Sequence, residues 1–135
     1  MKIELTDMEF RRLLDLVYVG NWVLNSIRGE DRIAAFDKVE SKLFSLCAQA
    51  GMKPLAYKDG ERCYPSLAFV EGGIHEAIID YEDQMFFHIL AQELARRDIG
   101  EGDGADTEEL NSRIMAYIAE FEQNGIDNIL VDIDL

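Results

Sequence analysis

The stretch Thr6-Asp7-Met8-Glu9-Phe10-Arg11-Arg12-Leu13-Leu14-Asp15-Leu16-Val17-Tyr18-Val19-Gly20-Asn21-Trp22-Val23-Leu24-Asn25-Ser26-Ile27 decides how the chain is read. Its apolar residues return at three- and four-residue steps, the period of an α-helix. Thr6 with Glu9 three residues on is a capping box, each side chain satisfying the other's free backbone N–H. Phe10, Leu13, Leu14, Val17 and Leu24 form one stripe suited to a core. Leu16, Val19, Val23 and Ile27 form a second, with Trp22 beside it. A helix on the surface of a monomer would be polar there. The second stripe therefore predicts a central helix or a self-association surface, with Leu16, Val19, Trp22 and Val23 as the candidate interface. Gly20 costs about 1 kcal/mol against alanine in a helix interior, and close approach of another backbone would explain it. Asn21 interrupts the inner stripe, and Asn25 follows one turn later. A buried amide must find partners. The expected partner is a loop or a neighbouring helix end; the other reading is a polar group fixing register in an interface.

Outward from this helix, the pattern predicts a second over 31–50, with Phe36, Val39, Leu43, Leu46, Cys47 and Ala50 inward. Asp37, Lys38, Glu40 and Lys42 would form its solvated face. Gly51 is placed for a left-handed cap, with Pro54 beyond. Asp59-Gly60 signals a hairpin turn that would set Tyr57 opposite Tyr64. A helix follows from Leu67 or Val70 to Tyr81, then another over 83–98 with Phe86, Phe87, Leu90 and Leu94 inward; one long helix is the alternative. Asp106-Thr107-Glu108-Glu109 starts a last helix, ended by Asn124-Gly125, with Leu110, Ile114, Tyr117, Ile118 and Phe121 as its core face. Ile3–Leu5 and residues 129–135 alternate as strands do and would pair. The fold class is mainly α: a bundle of four to five helices with a small two-stranded terminal β ribbon, in a single domain over 1–135.

Net charge sharpens the functional reading. It is −14. Residues 1–65 hold ten cationic and ten anionic side chains, so all of it falls on residues 66–135. Such a surface repels phosphates, which disfavours direct nucleic-acid or membrane binding. No apolar run approaches the roughly 18 residues of a membrane span, and the N-terminus lacks the pattern of a signal peptide. Cys47 and Cys63 fit no zinc spacing and read as free thiols of a reducing compartment, hence a cytoplasmic protein. Cys63 is expected to be the more exposed of the two.

No catalytic residue, metal ligand or cofactor signature emerges. His75 reads as a helix-surface partner of Glu71 at i,i+4, and His88 as exposed. The segment from Asp98 to Glu109 has the ends of a calcium loop, but Gly100 and Gly102 stand where carboxylates belong and Asp103 where glycine does. A solvated acidic loop over 99–106 is the better reading, ahead of weak cation binding at Glu101, Asp103 and Asp106. Phosphate-binding and nucleophile-elbow motifs are absent from the sequence.

Leu94-Ala95-Arg96-Arg97-Asp98, following Phe86-Phe87, together with Glu9-Phe10-Arg11-Arg12-Leu13-Leu14 resembles a group of small bacterial proteins of no assigned function. That resemblance implies a bacterial cytoplasmic origin and carries no site residues. The leading expectation is a non-enzymatic protein–protein interaction domain, self-associating as a homodimer or larger homo-oligomer, or engaging a protein partner. The alternatives are an acidic nucleic-acid mimic that occupies a basic protein, and an enzyme of unrecognised type, which a pocket lined by Tyr57, Tyr64, His75 or Glu71 would favour.

Overall fold

The computed structural model describes residues 1–100 and 106–134. The fold is mainly α, with five α-helices and one two-stranded antiparallel sheet among those residues. Two compact units divide it, Met1–Ile79 and Asp80–Leu135.

In the first unit, α1 spans Asp7–Asn25 and begins with the expected capping box between Thr6 and Glu9. α2 spans Ala34–Phe44. Turns replace the helix predicted to continue to residue 50. They close at Gly51, whose φ is +73°. There the Met52 N–H reaches the Cys47 carbonyl at 2.7 Å and the Gly51 N–H the Ala48 carbonyl at 3.4 Å, the paired bonds of a glycine helix cap.

A 3-10 turn at Lys53–Leu55 leads into β1 (Ala56–Asp59) and β2 (Arg62–Pro65). They pair with Tyr57 opposite Tyr64, whose rings stack at 5.3 Å. This hairpin is the sheet, and it corrects the terminal ribbon: residues 3–5 and 129–134 form no strand. A two-stranded ribbon survives only when it packs on something. The hairpin does so. Its Cys63 N–H donates to Ser41 Oγ of α2 at 3.0 Å, and Ala56 and Cys63 lie against the core.

α3 is a single turn, Leu67–Val70, capped by Ser66. α4 then runs unbroken over Ile74–Ile99. The break expected near Tyr81 thus falls at Gly72-Gly73, and the long-helix alternative holds.

The core of this unit is Phe10, Leu14, Tyr18, Phe44, Cys47, Phe69 and Ile78. Tyr18, Phe44 and Phe69 meet edge to face, the arrangement that ring quadrupoles favour. Cys47 is buried and Cys63 half-buried, both as free thiols.

The inner stripe of α1 is Phe10, Leu14, Tyr18, Asn21 and Asn25, so Leu13, Val17 and Leu24 are only half-buried. The faces of α2 are a larger correction. Asp37 and Glu40, expected in solvent, are buried, whereas Phe36, Val39 and Leu46 are exposed.

In the second unit, α5 spans Thr107–Asn124, capped by the Asp106 side chain, which accepts from the Glu108 N–H, and closed by Gly125. Phe121 is buried with Ala91 and Ala95, and Phe87 packs on the Phe121 ring at 5.6 Å. Phe86, expected inward, is exposed. Asp98 gathers Tyr117, Arg97 and Arg113 around its carboxylate. Among the described residues no helix is long and apolar enough to cross a membrane.

Candidate functional site

Two features of the first unit stand out, and they grow from one packing choice: α1 and α2 meet through a polar seam. Asn21 Nδ2 donates to Asp37 Oδ1 and to Glu40 Oε2, each at 3.0 Å. Asn25 Nδ2 donates to Asn21 Oδ1 at 2.7 Å. The Asn25 amide also exchanges bonds with the backbone of Ile33, accepting its N–H at 2.8 Å and donating to its carbonyl at 3.2 Å. This double bond seats the residue before α2. The asparagines thus play the structural part expected of Asn21, holding a loop and a helix start.

Asp37 is neutralised from two directions. Arg32, in the α1–α2 connection, reaches it through Nε and Nη2 at 2.8 and 2.9 Å. Arg62, on β2, reaches it through Nη2 at 3.0 Å. Together these groups hold the Asp37 carboxyl down from 3.8 to about 2, the Arg32 hydrogen bond being the largest cause and the Asn21 bond and Arg62 charge adding to it. Glu40 has no arginine bonded to it. Burial raises its pKa, against the opposing pull of the Asn21 hydrogen bond and the arginine charges. Burial, and then the Glu40 charge, push up the Tyr18 phenol.

The first feature is a cleft of about 460 Å³ beside this seam. Asn21, Glu40, Arg32 and Arg62 line it with the rings of Tyr18, Trp22, Tyr57 and Tyr64. Arg62 lies over the Tyr64 ring at 4.4 Å, and its buried Nε has no hydrogen-bond partner. His75 stands behind the cleft. Its Nδ1 is 3.2 Å from the Tyr18 hydroxyl and its ring meets Trp22 edge-on at 4.7 Å. The expected Glu71 partnership gives way to this one because Glu71 lies before the glycine break, outside α4.

The second feature is apolar. With α1 and α2 facing each other through polar groups, their apolar stripes turn outward. Leu16 is 70% exposed, Val23 58%, Ile27 86% and Val39 52%. Leu13 and Leu16 of α1 share a groove of about 920 Å³ with Leu43 of α2, Leu46 just past its end, and Ile3, Leu5 and Met8. Along α1 the stripe continues through Gly20 and Val23, with Ile27 just past the helix end; along α2 it continues through Val39 to Phe36. At Gly20, a methyl group would meet nothing within 4 Å. Of the candidate interface residues, Leu16 and Val23 lie on this surface, while Val19 and Trp22 are half-buried against the core.

The described residues contain no group of three or more metal-ligating side chains. Asp106 caps α5, His88 is exposed, and Glu101 and Asp103 lie outside the described residues, as does most of the predicted acidic loop. The cleft is only half-visible in the sequence. The hairpin signal marks Tyr57 and Tyr64, but nothing marks Arg32, Glu40 and Arg62, since their signal is a neutralising set scattered over thirty residues.

Among known proteins, no family profile, no curated protein and no solved structure matches the chain.

Proposed function

We propose that the chain is a protein–protein interaction module that self-associates through the outward apolar face of α1 and α2. The observation carrying this reading is the set of Leu16 and Val23 on α1 with Ile27 just past its end, and Phe36 and Val39 on α2 with Leu46 just past its end, all exposed. Contiguous exposed apolar surface of this kind marks interaction sites in soluble proteins. Gly20, bare at the middle of the α1 stripe, leaves room for a second backbone to approach. A second copy is favoured as the occupant because this face belongs to residues 1–65, which balance ten charges of each sign, while the net charge of −14 falls on residues 66–135. An isologous pairing would stack two helical hairpins into four helices around one apolar seam.

Light scattering on the purified chain is expected to give a dimer that persists in high salt. Val23→Asp is expected to give a monomer with an unchanged helical spectrum, because Val23 contributes to no core cluster. A wild-type chain that stays monomeric at high micromolar concentration would overturn the reading.

A further inference from the structure

The second unit leaves much of its apolar surface without cover. Among its described residues only Ala91, Ala95 and Phe121 are buried. On α4, Phe86 is 53% exposed and Ile89 51%, although a helix of a folded protein normally turns such residues inward. At about 100° per residue, the two share one side of α4 with Glu82, Asp83 and Glu93. Ala91 and Ala95 fall on the far side. Exposed apolar surface rimmed by polar groups marks an interaction site.

Charge selects what covers it. Residues 80–135 hold fifteen carboxylate side chains and three arginines, a net charge of −12. All three arginines are engaged within the unit: Arg96 with Glu93, Arg97 and Arg113 with Asp98. None of them pairs with Glu82 or Asp83. A second copy of this surface would set like charge against like, and nucleic acid or anionic lipid is repelled in the same way. An uncharged apolar partner would leave the carboxylates unmatched. A cationic partner with an apolar stripe answers both features.

We propose that this side of α4 docks a basic amphipathic helix of another protein. Apolar side chains of the partner, a turn apart, seat on Phe86 and Ile89, while its lysines and arginines meet Glu82, Asp83 and the wider acidic surface. The carboxylates speed the encounter, and the two apolar side chains hold the complex. No residue of the α1–α2 face takes part, so this contact and the self-association stand or fall separately.

The probe is a fluorescent synthetic peptide of about 18 lysines and leucines, ordered so that the leucines fill one helical face. The same residues in scrambled order are the control. In anisotropy titrations with the chain, the amphipathic peptide is expected to bind about tenfold more tightly than the scrambled one, and added salt to weaken it. Phe86→Ser with Ile89→Ser is expected to weaken it about tenfold, and Val23→Asp to leave it unchanged. Helical dichroism checks that the double variant folds; if it does not, Glu82→Lys with Asp83→Lys, at two exposed positions, carries the same expectation. Absence of saturable binding overturns the proposal. Equal affinity for the two peptides does so too, since charge alone would then suffice. So does a folded Phe86→Ser, Ile89→Ser chain that binds as the wild type does, or a loss on Val23→Asp, which would place the peptide on the α1–α2 face.

Discussion

Asp37 and Glu40 lie one turn apart on α2, are both buried, and respond to pH in opposite senses. Asp37 is lowered on folding, so its stabilisation is complete above its ordinary 3.8 and is lost as pH falls toward about 2. The shift corresponds to about 2 kcal/mol. Glu40 is raised on folding by burial, so its effect has the other sign: stability is greater in acid and declines as pH rises through the raised value. Asp37→Asn is expected to lower the unfolding free energy by about 2 kcal/mol at neutral pH and to flatten the acid limb of the stability profile. Glu40→Gln is expected to leave stability unchanged or increase it. Urea unfolding over a pH series measures both. A wild-type midpoint for Asp37→Asn would show that Arg32 and Arg62 fare as well in water as against the carboxylate.

At the level of elements, the periods of the helices are legible in the sequence and their faces are less so. The α1 capping box, the turn at Asp59-Gly60, the Gly51 and Gly125 stops and the Tyr57–Tyr64 pair can all be read because each is a local signal of a few residues. The orientation of α2 cannot. Ranking its residues by polarity sends Asp37 and Glu40 to solvent. Only Asn21, sixteen residues before Asp37, and Arg62, twenty-five after it, turn that face inward. Asn21 and Asn25 give a partial sign, since two amides one turn apart on an apolar stripe require buried partners. The terminal ribbon fails because alternation over a few residues is a weak signal, and residues 3–5 and 129–134 form no strand.

The α3–α4 break falls at Gly72-Gly73 rather than near Tyr81, and packing makes it necessary. A methyl group at Gly72 would come within 3.0 Å of the Phe69 carbonyl oxygen and 3.3 Å of that of Ala68. Those atoms belong to the backbone of α3 and cannot swing aside. Gly72→Ala is therefore expected to destabilise the chain by about 1 to 3 kcal/mol, lowering the thermal midpoint seen by circular dichroism. An unchanged midpoint would mean that α3 shifts freely.

For the molecule as a whole, the division into two units coincides closely with the division of charge. The entire net charge of −14 falls on residues 66–135, while the large aromatic core of Phe10, Tyr18, Phe44 and Phe69 belongs to the first unit. Self-repulsion opposes compactness, and added salt relieves it. Trp22 reports only the first unit, whereas far-ultraviolet dichroism follows helices in both. In urea at low salt, the dichroism is expected to fall earlier than the Trp22 emission, and the two curves are expected to converge as salt is added. Coincident curves at all salt concentrations would instead mark one cooperative unit.

The polar seam also bears on how the chain comes into being. Its ties are short in sequence: eight residues from Asn25 to Ile33, sixteen from Asn21 to Asp37, twenty-five from Asp37 to Arg62. Contacts of small separation close quickly, and amino-terminal units fold first during synthesis. By the time residue 62 has left the ribosome, every partner in the seam is present. The seam of the electrically balanced half is then complete before Phe69 and Ile78 arrive to close the core, and the nascent chain has its polar framework in hand before it acquires most of its charge.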